Sequence, residues 1–165
     1  MLNLQAKGFD ALATSDTVAM LCTQEQVASN VFIPEQLHNV FALIDIKTFK
    51  AKPNSYYYNA LKNKPAILLV GLGPQKDVTA ETLRNAASTI IQACQDKGLT
   101  QIHIVVPLLT AVPDVSRCIA EGAFLSNYNF NRYKTNNDES APLLQKAVLV
   151  CDNPQQLSPM LKEVA

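Results

Sequence analysis

The strongest apolar run in the chain extends from Pro65 to Gly73 and reads Pro-Ala-Ile-Leu-Leu-Val-Gly-Leu-Gly. Five consecutive apolar residues without polar alternation predict a strand buried on both faces, as at the centre of an α/β sheet. Gly71 and Gly73 end this strand in a turn where the backbone can approach a neighbour or a ligand closely. Thr79 is placed to cap the helix that follows. The run therefore predicts a β-loop-α unit around which the fold is organised.

Apolar periodicity predicts further elements before and after this unit. Strands are expected at 2–12, on a sheet edge, and at 17–23, 55–61, 101–107 and 146–151. Helices are expected at 34–47 and 79–97. A third helix is expected to begin after a cap at Asp114, with an inward face formed by Val115, Cys118, Ile119, Gly122 and Leu125. A fourth is expected to begin at Ser158-Pro159. A polar loop is expected at 135–142. The alternation of strands and helices in the second half predicts βαβ crossovers and an α/β fold.

Length and composition predict one domain without a membrane span. A chain of 165 residues with 48% apolar and 17% charged residues has the composition of a globular domain and lacks the ~20 apolar residues of a spanning helix. The start of the chain has no secretory-signal pattern, so we expect a cytoplasmic protein. The last apolar period stops at Ala165, short of the ~12–15 residues of a stable isolated helix, so we expect the chain to be cut from a longer one. The four cysteines lie in apolar segments without Cys-x-x-Cys spacing and are expected to be buried, reduced thiols.

The charge pattern leaves one candidate nucleic-acid surface. The net charge is zero, which argues against a chain that coats nucleic acid along its whole length. The stretch from Lys47 to Lys76, however, contains six lysines and no acid. One hypothesis is that lysines hold phosphates while a tyrosine stacks on a base, through Lys50, Lys52, Lys62, Lys64 and Tyr57. A half-buried strand explains the tyrosines equally well.

The loop Gly71-Leu72-Gly73-Pro74 resembles the opening of a dinucleotide-binding fingerprint. Lys76 occupies the position of the third glycine, and the Gly-Lys-Ser/Thr end of a phosphate-binding P-loop is missing. Gly71, Gly73 and Pro74 are therefore candidates either for ligand binding or for a tight turn that closes a core strand.

The remaining polar residues do not form a catalytic pattern. His38 and His103 have no second ligand at metal-binding spacing, and Glu121 is a single carboxylate within a predicted helix. A hydrolase needs a nucleophile or metal-bound water, a base and an oxyanion donor that converge on one cleft. We therefore predict no catalytic residue and no metal ligand in this chain.

Three motifs occur in the order and spacing of a known family. They are Val70-Gly71-Leu72-Gly73, then Thr82-Leu83-Arg84 with Ala86-Ala87, and then AEGAFLSNYNFNRYKT from Ala120 to Thr135. The chain resembles the N-terminal domain of leucyl aminopeptidases, the cytosol aminopeptidase family. The resemblance implies a macro-domain-like, three-layer α/β/α sandwich with a mixed, largely parallel sheet of about six strands.

The resemblance also implies a division of labour within a longer protein. Residues 1–165 would be a single, non-catalytic N-terminal domain that serves assembly or regulation. A catalytic C-terminal domain, absent from this chain, would hold two divalent metal ions, Zn or Mn. The parent protein would be a hexameric aminopeptidase that removes N-terminal residues from peptides. The alternatives are a macro-like module that binds ADP-ribose or another nucleotide, and a DNA-binding module.

Overall fold

A six-stranded sheet forms the centre of the computed structural model, which describes residues 1–30, 32–127 and 143–164. Its strands are β1 (Asn3–Lys7), β2 (Thr17–Cys22), β3 (Tyr56–Asn59), β4 (Ala66–Gly71), β5 (Gln101–Val105) and β6 (Lys146–Val150). They lie in the order β1-β6-β5-β2-β4-β3. All neighbours pair in parallel except β3, which runs antiparallel to β4. The predicted mixed, largely parallel sheet is confirmed.

Strand β4 lies between β2 and the edge strand β3, and all six of its residues are buried. Successive side chains point to opposite faces of a strand. Accordingly Leu68 and Val70 belong to one apolar cluster, and Ile67 and Leu69 to another on the opposite face. The uninterrupted apolar run is thus explained by burial on both faces.

Helices cover both faces of the sheet. One face, the long-helix side, carries α3 (Ala80–Asp96), α4 (Val115–Ser126) and α5 (Pro154–Val164). The other face, the short-helix side, carries a 3-10 helix (Phe9–Thr14), α1 (Gln24–Ser29), a 3-10 turn (Glu35–Leu37) and α2 (His38–Phe41). The layers form the expected α/β/α sandwich.

Helix α3 agrees with its prediction at both ends. The Thr79 hydroxyl accepts a hydrogen bond from the Thr82 amide, and the Thr82 hydroxyl accepts one from the Thr79 amide, which forms a capping box. After the helix, Gly98 adopts φ +67°, the left-handed conformation that suits glycine at a helix end. The predicted inward residues, Leu83, Ala87, Ile90, Ile91 and Cys94, are all buried.

Helix α4 differs from its prediction at two residues. Asp114 precedes the helix with φ 53° and its side chain makes no capping hydrogen bond, because a side-chain cap requires extended backbone at that position. Leu125 is 70% exposed instead of buried. The buried stripe is centred near Ile119 and Ala123, and at ~100° per residue Leu125 lies more than a quarter-turn from that centre.

The predicted helix over 34–47 is wrong. Only the 3-10 turn and the single turn of α2 form there, and the chain beyond Phe41 runs in turns. The Asp45 carboxylate accepts a hydrogen bond from the Lys47 amide at 2.9 Å, a local bond that competes with helix formation.

Helix α1 was not expected, although the Thr23–Gln26 capping box that starts it is visible in the sequence.

Helix α5 begins at Pro154 rather than at Ser158. Proline at a first helical position loses no intrahelical hydrogen bond, which explains the earlier start. Pro159 lies inside the helix, so the start predicted there is wrong. Leu161 is buried in the long-helix cluster. The loop predicted at 135–142 lies outside the described residues.

Candidate functional site

The glycines after β4 are approached closely by the chain's own backbone. A side chain at Gly71 would collide with the carbonyl groups of Ala51 and Lys52, and one at Gly73 would lie 2.8 Å from the Pro53 ring. Gly73 also adopts φ +80°, which disfavours other residues. We call residues 51–55 the strap, because they cross over this turn.

Hydrogen bonds fix the strap on the loop. The Gly73 amide donates to the Ala51 carbonyl and the Gly71 amide to the Ser55 carbonyl, each at 2.9 Å. In return the Asn54 amide donates to the Gly71 carbonyl at 3.3 Å. Both glycines therefore bring two segments of the same chain together.

The other amides of this loop are also bonded within the protein. The Leu72 amide donates to the Cys22 carbonyl at 2.9 Å, and Pro74 has no amide hydrogen. The Gln75 amide donates to the Glu25 carboxylate at 2.9 Å. A phosphate-binding loop needs free amides that point at the anion, and residues 71–75 have none. The geometry favours close approach of the chain itself over ligand binding, and the role of Gly71, Gly73 and Pro74 stays a prediction.

Glu25 contacts the loop after β4, although the sequence pattern did not mark it as a candidate site residue. It lies in the first turn of α1, between the two residues of the Thr23–Gln26 capping box. The hydrogen bond from the Gln75 amide lowers the pKa of the Glu25 carboxyl below its ordinary value. The Glu25 carboxylate thus already accepts the hydrogen bond of the Gln75 amide, which an anionic ligand would need.

The four candidate DNA-contacting lysines fall into two pairs. Lys50 directly precedes the strap and Lys52 belongs to it, whereas Lys62 and Lys64 lie in the turn before β4. The β3–β4 pairing between them covers four residue pairs, which is roughly 10 Å along the strands at ~3.3 Å per residue. The lysines flank a hairpin at its two ends instead of forming one cluster.

The three tyrosines of β3 are divided between the two faces of the sheet, with Tyr57 opposite to Tyr56 and Tyr58. Tyr57 packs with Phe49 on the short-helix side, with ring centroids 6.4 Å apart. Tyr58 lies on the long-helix side, with the Lys97 ammonium 4.3 Å from its ring centroid. Tyr56 is 48% exposed. Because a stacking platform needs rings on one surface, this arrangement favours the half-buried strand, and the DNA-contact hypothesis remains a prediction.

The other polar candidates are engaged in the structure of the fold. Glu121 accepts hydrogen bonds from Arg84 at 2.9 Å and from Arg117 at 3.0 Å. These bonds, first that from Arg117 and then that from Arg84, lower the pKa of the Glu121 carboxyl. A carboxylate neutralised by two arginines is a poor general base.

The histidines lie apart. His38 contacts the Ile33 carbonyl at 3.1 Å. His103 lies on β5, and burial lowers its pKa. Within the described residues, 1–30, 32–127 and 143–164, no group of three or more His, Cys, Asp or Glu side chains could hold a metal ion.

The cysteines are free thiols, as expected, and three of them are buried. Burial raises the pKa of Cys22 and of Cys94 to about 12, which suppresses the nucleophilic thiolate form. Cys151 is only half-buried.

No helix in the described part of the chain is long and apolar enough to cross a bilayer.

Comparison with known families identifies the domain. Residues 20–137 match the family model of the N-terminal domain of the cytosol aminopeptidase family. The chain belongs to this family. The resemblance inferred from the sequence motifs is confirmed, and its third motif lies inside the matched range although part of it is outside the described residues.

Individual relatives agree with the family model. A probable cytosol aminopeptidase of Protochlamydia amoebophila is 29% identical over 133 residues, covering 78% of this chain and 26% of the relative. One of Picosynechococcus is 26% identical over 154 residues, covering 90% of this chain and 31% of the relative. The chain therefore spans a quarter to a third of the length of these relatives.

Solved structures show the same fold. A tomato leucine aminopeptidase mutant superposes with a TM-score of 0.74 at 14% identity, covering 99% of this chain and 35% of that one. The bottromycin maturation enzyme BotP in complex with Mn gives a TM-score of 0.60 at 20% identity, covering 90% of this chain and 29% of that one.

Proposed function

We propose that this domain is the non-catalytic N-terminal part of a cytoplasmic, metal-dependent aminopeptidase, and that it serves assembly or regulation of the enzyme. Membership of the cytosol aminopeptidase family carries the proposal. The relatives are three to four times as long as their matched part, which leaves room for a catalytic domain. The parent would remove N-terminal residues from peptides.

The chemistry of the described side chains supports a catalytic centre located elsewhere. Two-metal hydrolysis needs several oxygen or nitrogen ligands around ions roughly 3.5–4 Å apart. In this domain Glu121 is held by two arginines, and Glu25 is hydrogen-bonded to the Gln75 amide. The described residues do not fit a pair of Zn or Mn ions, so the metals of the parent would be held by its other domain.

The proposal for assembly is that the parent is a hexamer and that this domain stabilises it. Removal of the domain from the full-length protein is expected to reduce the hexamer fraction in sedimentation velocity. A protein without the domain that remains hexameric, with unchanged kcat/KM, would refute the assembly role.

The non-catalytic role is tested by activity. We expect the isolated domain, incubated with Mn²⁺ or Zn²⁺ and leucine p-nitroanilide, to release no more nitroaniline than a blank without protein. The full-length protein under the same conditions should turn the substrate over. Turnover by the isolated domain would contradict the proposal, and an inactive full-length protein would contradict the aminopeptidase assignment of the parent.

A further inference from the structure

A groove of about 800 Å³ opens on the short-helix side, between α1 and the segment 33–50. Half of its lining residues are large aliphatic or aromatic ones, Val27, Ile33, Phe41, Ile44, Ile46 and Phe49. Of these only Phe49 is buried, and the other five are half-buried. The volume is within the range of small-molecule sites, roughly 300–1,000 Å³.

The groove remains open because the elements around it are short. Helix α1 has six residues and α2 has four, so neither is long enough to cover the apolar side chains between Phe41 and Phe49. These side chains pack against the core with one side and face water with the other. Covering them with an apolar ligand would be favourable by about 25 cal/mol per Å² of apolar surface removed from water.

Cationic side chains lie at the same groove. Lys47 and Lys50 both line it, both are exposed, and neither forms an ion pair with any described residue. Asp45 also lines the groove, and its carboxylate, which accepts a hydrogen bond from the Lys47 amide, keeps its negative charge. The two lysines outnumber this one carboxylate among the lining residues, so the local charge is net positive, which complements an anionic group.

We propose that this groove binds an amphipathic monocarboxylate, with its hydrocarbon part against the apolar wall and its carboxylate near Lys47 and Lys50. The concave shape and the asymmetric placement of charge favour a small molecule with one apolar and one anionic end. A flat protein interface would spread apolar and charged residues over a wider area.

Calorimetry with octanoate tests the proposal, and 1-octanol is the uncharged comparison. We expect saturable 1:1 binding of octanoate and weaker binding of 1-octanol. Replacement of Lys47 and Lys50 by alanine should weaken octanoate about 2- to 30-fold, as for two exposed ion pairs. Lys62→Ala with Lys64→Ala is the matched control, since these lysines belong to the same basic stretch but not to the groove, and should leave the affinity unchanged.

A second variant tests the position of the ligand. Ala28 is exposed on α1 and lines the groove, so Ala28→Trp should obstruct it and weaken octanoate binding. As a check that needs no variant, octanoate should shift the NMR amide signals of Val27 and Ile44 in the wild-type domain.

Several results would overturn the proposal. They are the absence of saturable heat, equal affinity for octanoate and 1-octanol, binding unaffected by Ala28→Trp, and amide shifts away from the groove. A concentration-dependent dimer that Ala28→Trp dissociates would show instead that the groove receives a second copy of the chain.

Discussion

Gly122 of α4 lies directly against the backbone of Arg84 of α3. A methyl group at residue 122 would be 2.8 Å from the Arg84 Cα and 3.0 Å from the Ala87 Cβ, and it would overlap the Arg84 carbonyl oxygen. Both residues belong to the motifs that carried the family resemblance. The motifs are thus partly explained by the packing of two helices.

Replacement of Gly122 by alanine should destabilise the domain. Overpacking against backbone costs about 1–3 kcal/mol, whereas alanine in a helix regains about 1 kcal/mol over glycine. We expect a net loss of up to roughly 2 kcal/mol in urea unfolding. Asn85→Ala, at an exposed position of α3, is the control and should not destabilise. A Gly122→Ala variant more stable than wild type would contradict this packing.

The interaction of Glu121 with two arginines should make stability depend on pH. Because the pKa of Glu121 is lowered in the folded state, its contribution is fully present above the unfolded pKa and is lost as the pH falls through the folded pKa. We expect Glu121→Gln to lower the midpoint of thermal unfolding at pH 7, with the difference shrinking below about pH 4.

Glu163→Gln is the matched control for this measurement. Glu163 is 3.8 Å from Arg117 and its side chain is 68% exposed, so its ion pair should contribute little. Equal effects of the two substitutions, or a difference between Glu121→Gln and wild type that does not shrink as the pH falls below about 4, would refute the assigned role of Glu121.

The two long helices should respond differently to changes at their first residues. Thr79→Ala removes a capping box and should cost about 1 kcal/mol. Asp114→Asn should change stability by less than about 0.5 kcal/mol, because the Asp114 side chain makes no cap and asparagine tolerates the same left-handed backbone. Chemical denaturation of both variants is the measurement, and a larger loss at Asp114 would contradict the observed geometry.

We expect no binding of ADP-ribose or NAD to the loop after β4. The amides from Gly71 to Gln75 are already bonded to the strap, to β2 and to Glu25, so a diphosphate would have to break those bonds. Titration calorimetry at about 100 μM ligand detects binding that is much weaker than the binding of a cofactor to a typical cofactor site. A saturable heat that disappears on substitution of Gly73 would promote the nucleotide-binding alternative.

Any DNA binding by the basic stretch should be weak and strongly dependent on salt. Loss of one phosphate contact makes the dependence of log affinity on log salt concentration less steep by about 0.9. Lys50→Ala with Lys52→Ala, and Lys62→Ala with Lys64→Ala, should reduce this slope independently, since the two pairs lie at opposite ends of a hairpin. Lys7→Ala with Lys162→Ala is the control. If none of the pairs changes a measurable gel shift, the stretch is a solvated surface.

The sequence predicted the second half of the fold well because its elements are long and regular. Helix α3 combines a capping box, one apolar face and a terminal glycine, and these signals agree. Between α1 and the strap the elements are short, and tertiary contacts and local Asp45 bonding decide the backbone. Apolar spacing alone therefore predicted a helix at 34–47 that does not form.

The candidate loop shows a different limit of sequence reasoning. Its glycines predicted a close approach, but the approaching partner is the strap, about 20 residues earlier in the chain. Single-sequence patterns contain no information on such a pairing. The groove was missed for a related reason, since its wall combines α1 with a segment that was expected to be helical.

The position of β1 has a consequence for synthesis of the domain on the ribosome. Asn3 pairs with Lys146, so β1 adds to the sheet beside a strand that is synthesised much later. At about 5–20 residues per second, β1 has no partner for on the order of ten seconds after it emerges. The central strands β2, β4 and β5 can assemble during that interval. Completion of the sheet on this side then depends on the emergence of β6, and the nascent chain exposes an unpaired strand until that moment.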